Sequence, residues 1–408
     1  MRATTYLVLA IVLVLVGFGL AGDTPVSVTP VPAASGSMCD PQDFRRLDPL
    51  ILSPGQSITF FTGTTNDMPY VDGGGFNMVT GQVAESESGE VRLAAFCFSR
   101  ISIASNVSIT VTGDLGLVLL SRTKIELGSE LNADGRNVPS RTVPGAEGGP
   151  GAEDGESGVS YRSNPPGETR GNGSDGLGHT HTGTTEPGSG RGGGGGSTVT
   201  TGGTGGSYGG RGGIGAGGNT QTVAAVYGDL MVADLFGGSG ASGARSTSAQ
   251  EPGMGGGGGG GSVSLVANSI IHVKAGGSIS ASGGAGGDAV HGDANGGGGS
   301  GGGILLVART VILEGTLSAT GGRGGDGEGK YYGGGGGRIA LYSDDSYGGP
   351  GQINPGEAEP IPNVYVGGGR GGTNEYSRPS PGFPGSAGTF YDGRRPTFIE
   401  KGVVITVL

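Results

Sequence analysis

Between Gly255 and Tyr342 short aliphatic blocks alternate with runs of glycine. The blocks SVSLVA, IIHV and SISAS of one unit recur in the next. Leu265, Val266 and Ala267 fall on Leu306, Val307 and Ala308, and Ile279, Ser280 and Ala281 on Leu317, Ser318 and Ala319. GGGGGRIALY, ending at Tyr342, opens a third unit. Short β-branched and leucine blocks bounded by small-residue turns read as strands, and their recurrence reads as a repeat architecture. Three blocks per unit, joined by short turns and followed by one long glycine loop, predict parallel stacking of three strands per turn. The expected fold is all-β, a single right-handed parallel β-helix with long glycine-rich loops and an N-terminal β cap. One turn of ~20 ordered residues loses ~1–2 kcal/mol of backbone entropy per residue. Some six inward aliphatics return only ~2 kcal/mol apiece. A single turn therefore cannot stand alone, and stacking is required.

The same pattern extends outward from this stretch. Residues 44–99, with LILSPGQSITFF and VRLAAFCF, are expected to form the cap. The repeat is expected over 100–408. There LVLLSRTKIELGSELNADGR aligns with ILLVARTVILEGTLSATGGR if one inserted residue is allowed, placing Arg122 and Thr123 on Arg309 and Thr310, and Ala133 on Ala319. A glycine-dominated insert at about 143–220 has almost no large aliphatics and cannot bury a core of its own. Either it is a mobile arm, or its glycines let polyproline-type segments pack closely where any side chain would clash. The C-terminal run Val403, Val404, Ile405, Thr406 and Val407 is apolar on both faces apart from Thr406. Such a strand must be covered, and is expected either to end the solenoid or to be donated to another subunit as an assembly strand.

Composition changes the picture in two ways. Glycine supplies 98 of 408 residues and proline 22, a level at which disorder is the default; the repeat overrides that default. With 35 acidic against 24 basic residues and a net charge of −11, nucleic acid is disfavoured as a partner, since phosphate binding needs a basic face. Residues 1–22, with Arg2 and an apolar run from Tyr6 to Leu20 before small residues, read as a signal peptide, an uncleaved anchor being the alternative. Residues 23–43 read as a Pro/Thr/Ser-rich tether. In an exported chain Cys39 and Cys97 are expected to form a disulfide, the alternative being two buried thiols.

Candidate chemistry is sparse. GGAGGDAVH from Gly283 fits the nonapeptide that binds calcium in β-rolls, and GGRGGD follows from Gly321. Asp288 and Asp326 would lie one above the other if the repeats stack in register, making a calcium site, against the alternative of solvated loop aspartates. His179 and His181 in GHTHTG read as a polar loop rather than metal ligands, and His272 as a strand-face residue. Lys124, Glu126, Lys274, Arg309 and Glu314 are scattered among the strand blocks with no recurring pair. Asn106-Val-Ser108 and Asn172-Gly-Ser174 are glycosylation sequons.

The YGD at Tyr227 to Asp229, the GGGSGGGILLVA type of strand entry, GGGGGRIALY and the GSAGTFYD from Gly385 to Asp392 together resemble a class of glycine-rich secreted and cell-surface β-helix proteins. These occur in bacteria and archaea and as ectodomains of large plant membrane proteins. The resemblance covers about Arg100 to Leu408. It implies an exported structural or adhesive role at the cell surface or in the extracellular matrix, possessing no established active site. Partners would be further copies of the chain, other surface proteins or polysaccharides, with no membrane span in the mature chain unless the N-terminal segment is uncleaved. The rival class is a polysaccharide-binding or polysaccharide-degrading protein, which needs clustered carboxylates or bases on one face.

Overall fold

The computed structural model describes residues 31–32, 39–64, 66–85, 91–139, 142, 144–157, 193, 204–213, 225–228, 234–244, 253–289, 295–327, 332–344, 363–372 and 383–394. Strands β1 (Val31–Pro32), β2 (Arg46–Leu47), β3 (Leu50–Leu52), β4 (Ser57–Phe61), β5 (Tyr70–Gly73), β6 (Phe76–Thr80), β7 (Gln82–Glu85) and β8 (Arg92–Phe98) form the N-terminal part. There follow β9 (Ile101–Ile103), β10 (Ser108–Thr112), β11 (Gly116–Ser121), β12 (Lys124–Leu127) and β13 (Glu130–Asn132). After a long interval come β14 (Ser262–Ala267), β15 (Ile270–Val273), β16 (Ser278–Ser280), β17 (Gly303–Val307), β18 (Thr310–Leu313), β19 (Thr316–Ser318), β20 (Arg338–Ser343), β21 (Val364–Tyr365) and β22 (Thr389–Arg394).

The chain is all-β and its repeated strands pair in parallel, but the single β-helix expected from the sequence is corrected. The strands belong to four separate sheets. One has nine strands, in the order β1-β7-β8-β11-β14-β17-β20-β22 with β2 beside β8. The others run β18-β15-β12-β9-β3, β13-β16-β19-β21 and β10-β4-β5-β6. Two features break the expected continuity. The N-terminal part is built partly from antiparallel pairs, β4-β5, β5-β6 and β7-β8. Between Asn132 and Ser262 no described residue adds a strand to any sheet.

The aligned blocks do pair residue for residue. Leu265 faces Leu306, Val266 faces Val307, Ile279 faces Leu317 and Ser280 faces Ser318. The inserted residue falls earlier than the alignment placed it. Ser121 pairs with Ala267, yet Lys124 and Ile270 stack on Thr310, so the extra residue lies in the turn holding Arg122 and Thr123.

Burial explains the two strand types. In β12, β15 and β18 alternate residues are buried, whereas β11, β14, β17 and β20 are buried throughout. Leu117, Leu119, Leu265 and Leu306 point into the main core between sheets. Val118, Leu120, Val266 and Leu305 point the other way, into a second core closed by Phe44, Tyr208, Leu235 and Phe236. A sheet covered on both faces reads as a continuous apolar run rather than an alternating one.

The described glycine segments form a regular array. From Gly255 to Gly261 successive backbone N–H groups donate to Thr142, Glu156, Gly297, Arg136, Glu153, Ser300 and Ala133. Every third residue thus addresses the same neighbour. From Gly296 to Gly302 the same period of three sends N–H groups to 287, 284 and 281, to 242 and 239, and to 332 and 335. Three residues per turn is polyproline-II geometry, which has no internal hydrogen bonds and must find partners outside itself. Here each helix finds them in its neighbours. Segment 255–261 donates to three and accepts from three more, through Ala146 and Gly149, Ala241 and Gly238, and Gly287 and Gly284. Of the two outcomes open for the 143–220 insert, its described residues 144–157 and 204–213 show the packed one.

Candidate functional site

Among the described residues lies an open groove of about 1230 Å³. Its walls are β10, the chain leaving β13 through Asp134 to Asn137, and the glycine-rich segment from Glu147 to Asp154. β10 belongs to the N-terminal sheet and β13 heads the third sheet, and segment 144–156, hydrogen-bonded along 255–259, meets their continuations through Gly151 to Asp114 and Arg136 to Glu147.

Five carboxylates line it, Asp114, Asp134, Glu147, Glu153 and Asp154, against one guanidinium, Arg136. Arg136 is 2.9 Å from Glu147, and both are well exposed. Asp154 accepts from the Gly148 N–H at 2.8 Å. Asp134 accepts from the Ser280 hydroxyl at 2.5 Å and the Ser282 N–H at 2.6 Å. Burial nevertheless pushes its carboxyl above the ordinary aspartate range. Burial, with neighbouring Asp154 adding repulsion, pushes Glu153 up to about 7. A carboxyl of that kind holds a proton near neutrality and can donate a hydrogen bond, while exposed carboxylates beside it accept. Among the described residues that line it there is no aromatic ring on which a sugar could stack.

The expected calcium ligands do come together. Arg323 donates to Asp288 at 3.0 and 3.3 Å and to Asp326 at 2.9 Å, while the Asp326 N–H donates to Asp288 at 2.7 Å. A guanidinium from the same GGRGGD motif stands between the two carboxylates. Among the described residues no group of three or more His, Cys, Asp or Glu is placed to hold a metal ion. The disulfide expected between Cys39 and Cys97 is corrected: both are buried free thiols. Cys97 Sγ donates to the Pro41 carbonyl at 3.3 Å. Burial raises both thiols, Cys39 to about 12, so neither forms a reactive thiolate. His179, His181, Asn172 and the assembly strand Val403, Val404, Ile405, Thr406 and Val407 lie outside the described residues.

Residues that look scattered in sequence meet across strands of the second sheet. Glu126 sits 3.0 Å from Lys124 and 3.9 Å from Lys274, and accepts from Ser102 at 3.1 Å. Lys124 is the main cause holding the Glu126 carboxyl low. His272, opposite Glu126 in the register, pairs with Glu314 at 2.9 Å. The strand register was the signal that would have found this cluster.

Three motifs of the sequence converge on one side chain. Arg338, from GGGGGRIALY, is 5% exposed. It donates to the carbonyls of Tyr227 at 2.7 Å and Gly228 at 3.3 Å in YGD, and to the Thr389 hydroxyl of GSAGTFYD at 2.9 Å. Its guanidinium also lies 5.4 Å from the Tyr208 ring centre. These motifs therefore form a structural latch that clamps the aromatic cover onto the nine-strand sheet. No family model, no curated protein and no solved structure matches the chain.

Proposed function

We propose that the protein is an exported structural or adhesive component of the cell surface or extracellular matrix. The observation that carries this reading is the glycine bundle. Its helices are cross-linked by backbone hydrogen bonds to several neighbours at once, giving a rigid body whose frame depends on backbone rather than on reactive side chains. Outside the groove several charged groups are used in ion pairs, as at Arg323 and at Lys124–Glu126. The leader-like N-terminus supports export. Immunogold labelling of native cells and fractionation of the medium test the reading, and a cytosolic location overturns it.

A second reading, polysaccharide binding, is favoured by the groove, whose threonines, asparagines and carboxylates are the partners that sugar hydroxyls take. A polysaccharide panel in affinity electrophoresis tests it. Retardation that survives Glu153→Gln and Asp134→Asn together would place the binding elsewhere.

A further inference from the structure

The sequon Asn106-Val107-Ser108 occupies the turn between β9 and β10. Asn106 and Ser108 are exposed, while Val107 between them is buried. Asn106 has φ 60, in the left-handed region. Two other turns of the same length carry their left-handed residue at the same station, three after the preceding strand. They are Gly55, φ 82, after β3, and Gly276, φ 86, after β15. The first stacks directly on the Asn106 turn, since Leu52 pairs with Ile103, Ser57 with Ser108, and the Gly55 N–H donates to the Asn106 carbonyl at 2.8 Å.

At Gly55 and at Gly276 a Cβ would meet nothing within 4 Å. The station thus sends its side chain into open space, and only the left-handed backbone constrains what sits there. Glycine is the residue of least cost at such a position, and asparagine is among the few others that tolerate it. Serine two residues on is common to all three turns, as Ser57, Ser108 and Ser278. Asparagine is the departure, and it completes an Asn-x-Ser acceptor on an open turn.

We propose that Asn106 is a site of N-linked glycosylation, the donor being an oligosaccharide carried on a lipid pyrophosphate. In the transfer Asn106 Nδ2 bonds to the anomeric carbon and the carbon–oxygen bond to the pyrophosphate breaks. The lipid pyrophosphate leaves with the electron pair, and the amide proton passes to a base of the transferase. This inference rests on the export reading, because the transfer occurs only on the exported side of a membrane.

The test expresses the full chain from its own leader in a host that N-glycosylates exported proteins. Trypsin releases 101–122, in which Asn106 is the only asparagine. Enzymatic release of the glycan in heavy-oxygen water converts Asn106 to labelled aspartate, which peptide mass spectrometry reads. The expected result is a labelled peptide that Ser108→Ala abolishes. Asn106→Gly should remove the glycan and leave the melting temperature of the deglycosylated protein unchanged, since glycine serves the neighbouring turns. An exported chain with an unmodified 101–122 peptide overturns the proposal, leaving Asn106 as a turn residue only. Retention in the cytosol overturns export instead. A parallel arm with a heterologous leader ahead of the full chain then still decides Asn106.

Discussion

Gly257 lies inside the glycine bundle, and a Cβ added there falls far inside 3.0 Å of the Gly284 carbonyl oxygen. That neighbour is backbone, so Gly257→Ala forces two helices apart rather than turning a side chain aside. Three hydrogen bonds are at risk: Gly257 to Gly297 at 3.0 Å, Ala241 to Gly257 at 3.0 Å, and Gly284 to Gly258 at 2.8 Å. Each contributes ~1 kcal/mol net, and more if its groups stay buried unpaired. Alanine lowers the entropy of the unfolded chain, returning ~0.4–1 kcal/mol. The net expectation is a loss of ~2–4 kcal/mol. Gly367 provides the control, since a Cβ there meets nothing within 4 Å and its φ is ordinary. Gly367→Ala should therefore leave stability unchanged or raise it by ~0.4–1 kcal/mol. Urea unfolding followed by circular dichroism measures both. Equal effects from the two substitutions, or a stabilised Gly257→Ala, would refute the packed-helix account of the glycine runs.

Arg338→Met should cost ~3 kcal/mol, because it leaves the Tyr227 carbonyl without its 2.7 Å partner; Arg338→Lys should recover little, since one ammonium cannot span Tyr227 and Thr389. Glu153 has a folded pKa of about 7 against an unfolded value near 4.5, so the native state retains its proton longer. Stability from this group is intact below about pH 4.5 and is lost as pH rises through about 7. Glu153→Gln should therefore raise the melting temperature at pH 8, by ~1–3 kcal/mol of stability after allowing for partial solvent screening, and change nothing at pH 4. Both thiols should resist alkylation until the protein unfolds, and reductant should leave the melting temperature unchanged. Chelator should likewise leave it unchanged while Arg323 bridges Asp288 and Asp326, because the guanidinium supplies the positive charge there.

The strand blocks were legible because their signal is local. Ile279, Ser280 and Ala281 resemble Leu317, Ser318 and Ala319 closely enough that pairing follows from alignment, and the register agrees. The four-sheet arrangement was not legible, because nothing in LILSPGQSITFF announces that Ile58 pairs antiparallel with Gly73. The glycine runs concealed their order for a different reason. A period of three carried by hydrogen bonds leaves no mark when every residue is glycine. It surfaces only at exceptions such as Ala241 and Ala244, three apart and both buried. The groove was invisible for a third reason: Asp134 and Glu153 line one groove only because the insert folds back over the end of β13.

The same spacing connects the strand blocks to the glycine runs. Segments 255–261, 296–302 and 333–337 lead directly into β14, β17 and β20, which are hydrogen-bonded neighbours in one sheet. Adjacent strands lie about 4.8 Å apart, so the segments entering them begin at that separation. A strand tolerates it because its side chains stand perpendicular to the sheet. A three-residue helix does not, since its side chains radiate toward every neighbour in turn. At that distance a Cβ overlaps a carbonyl, as at Gly299 against Gly258 and Gly334 against Gly299. The glycine requirement is thus inherited from the sheet. It ends at the bundle's margin, where the side chains of Ala281, Ala319 and Ala133 join the main core while their carbonyls still accept from Gly302, Gly337 and Gly261. The glycine runs and the leucine blocks are consequently one structural unit, and a change of spacing in either would have to be matched in the other.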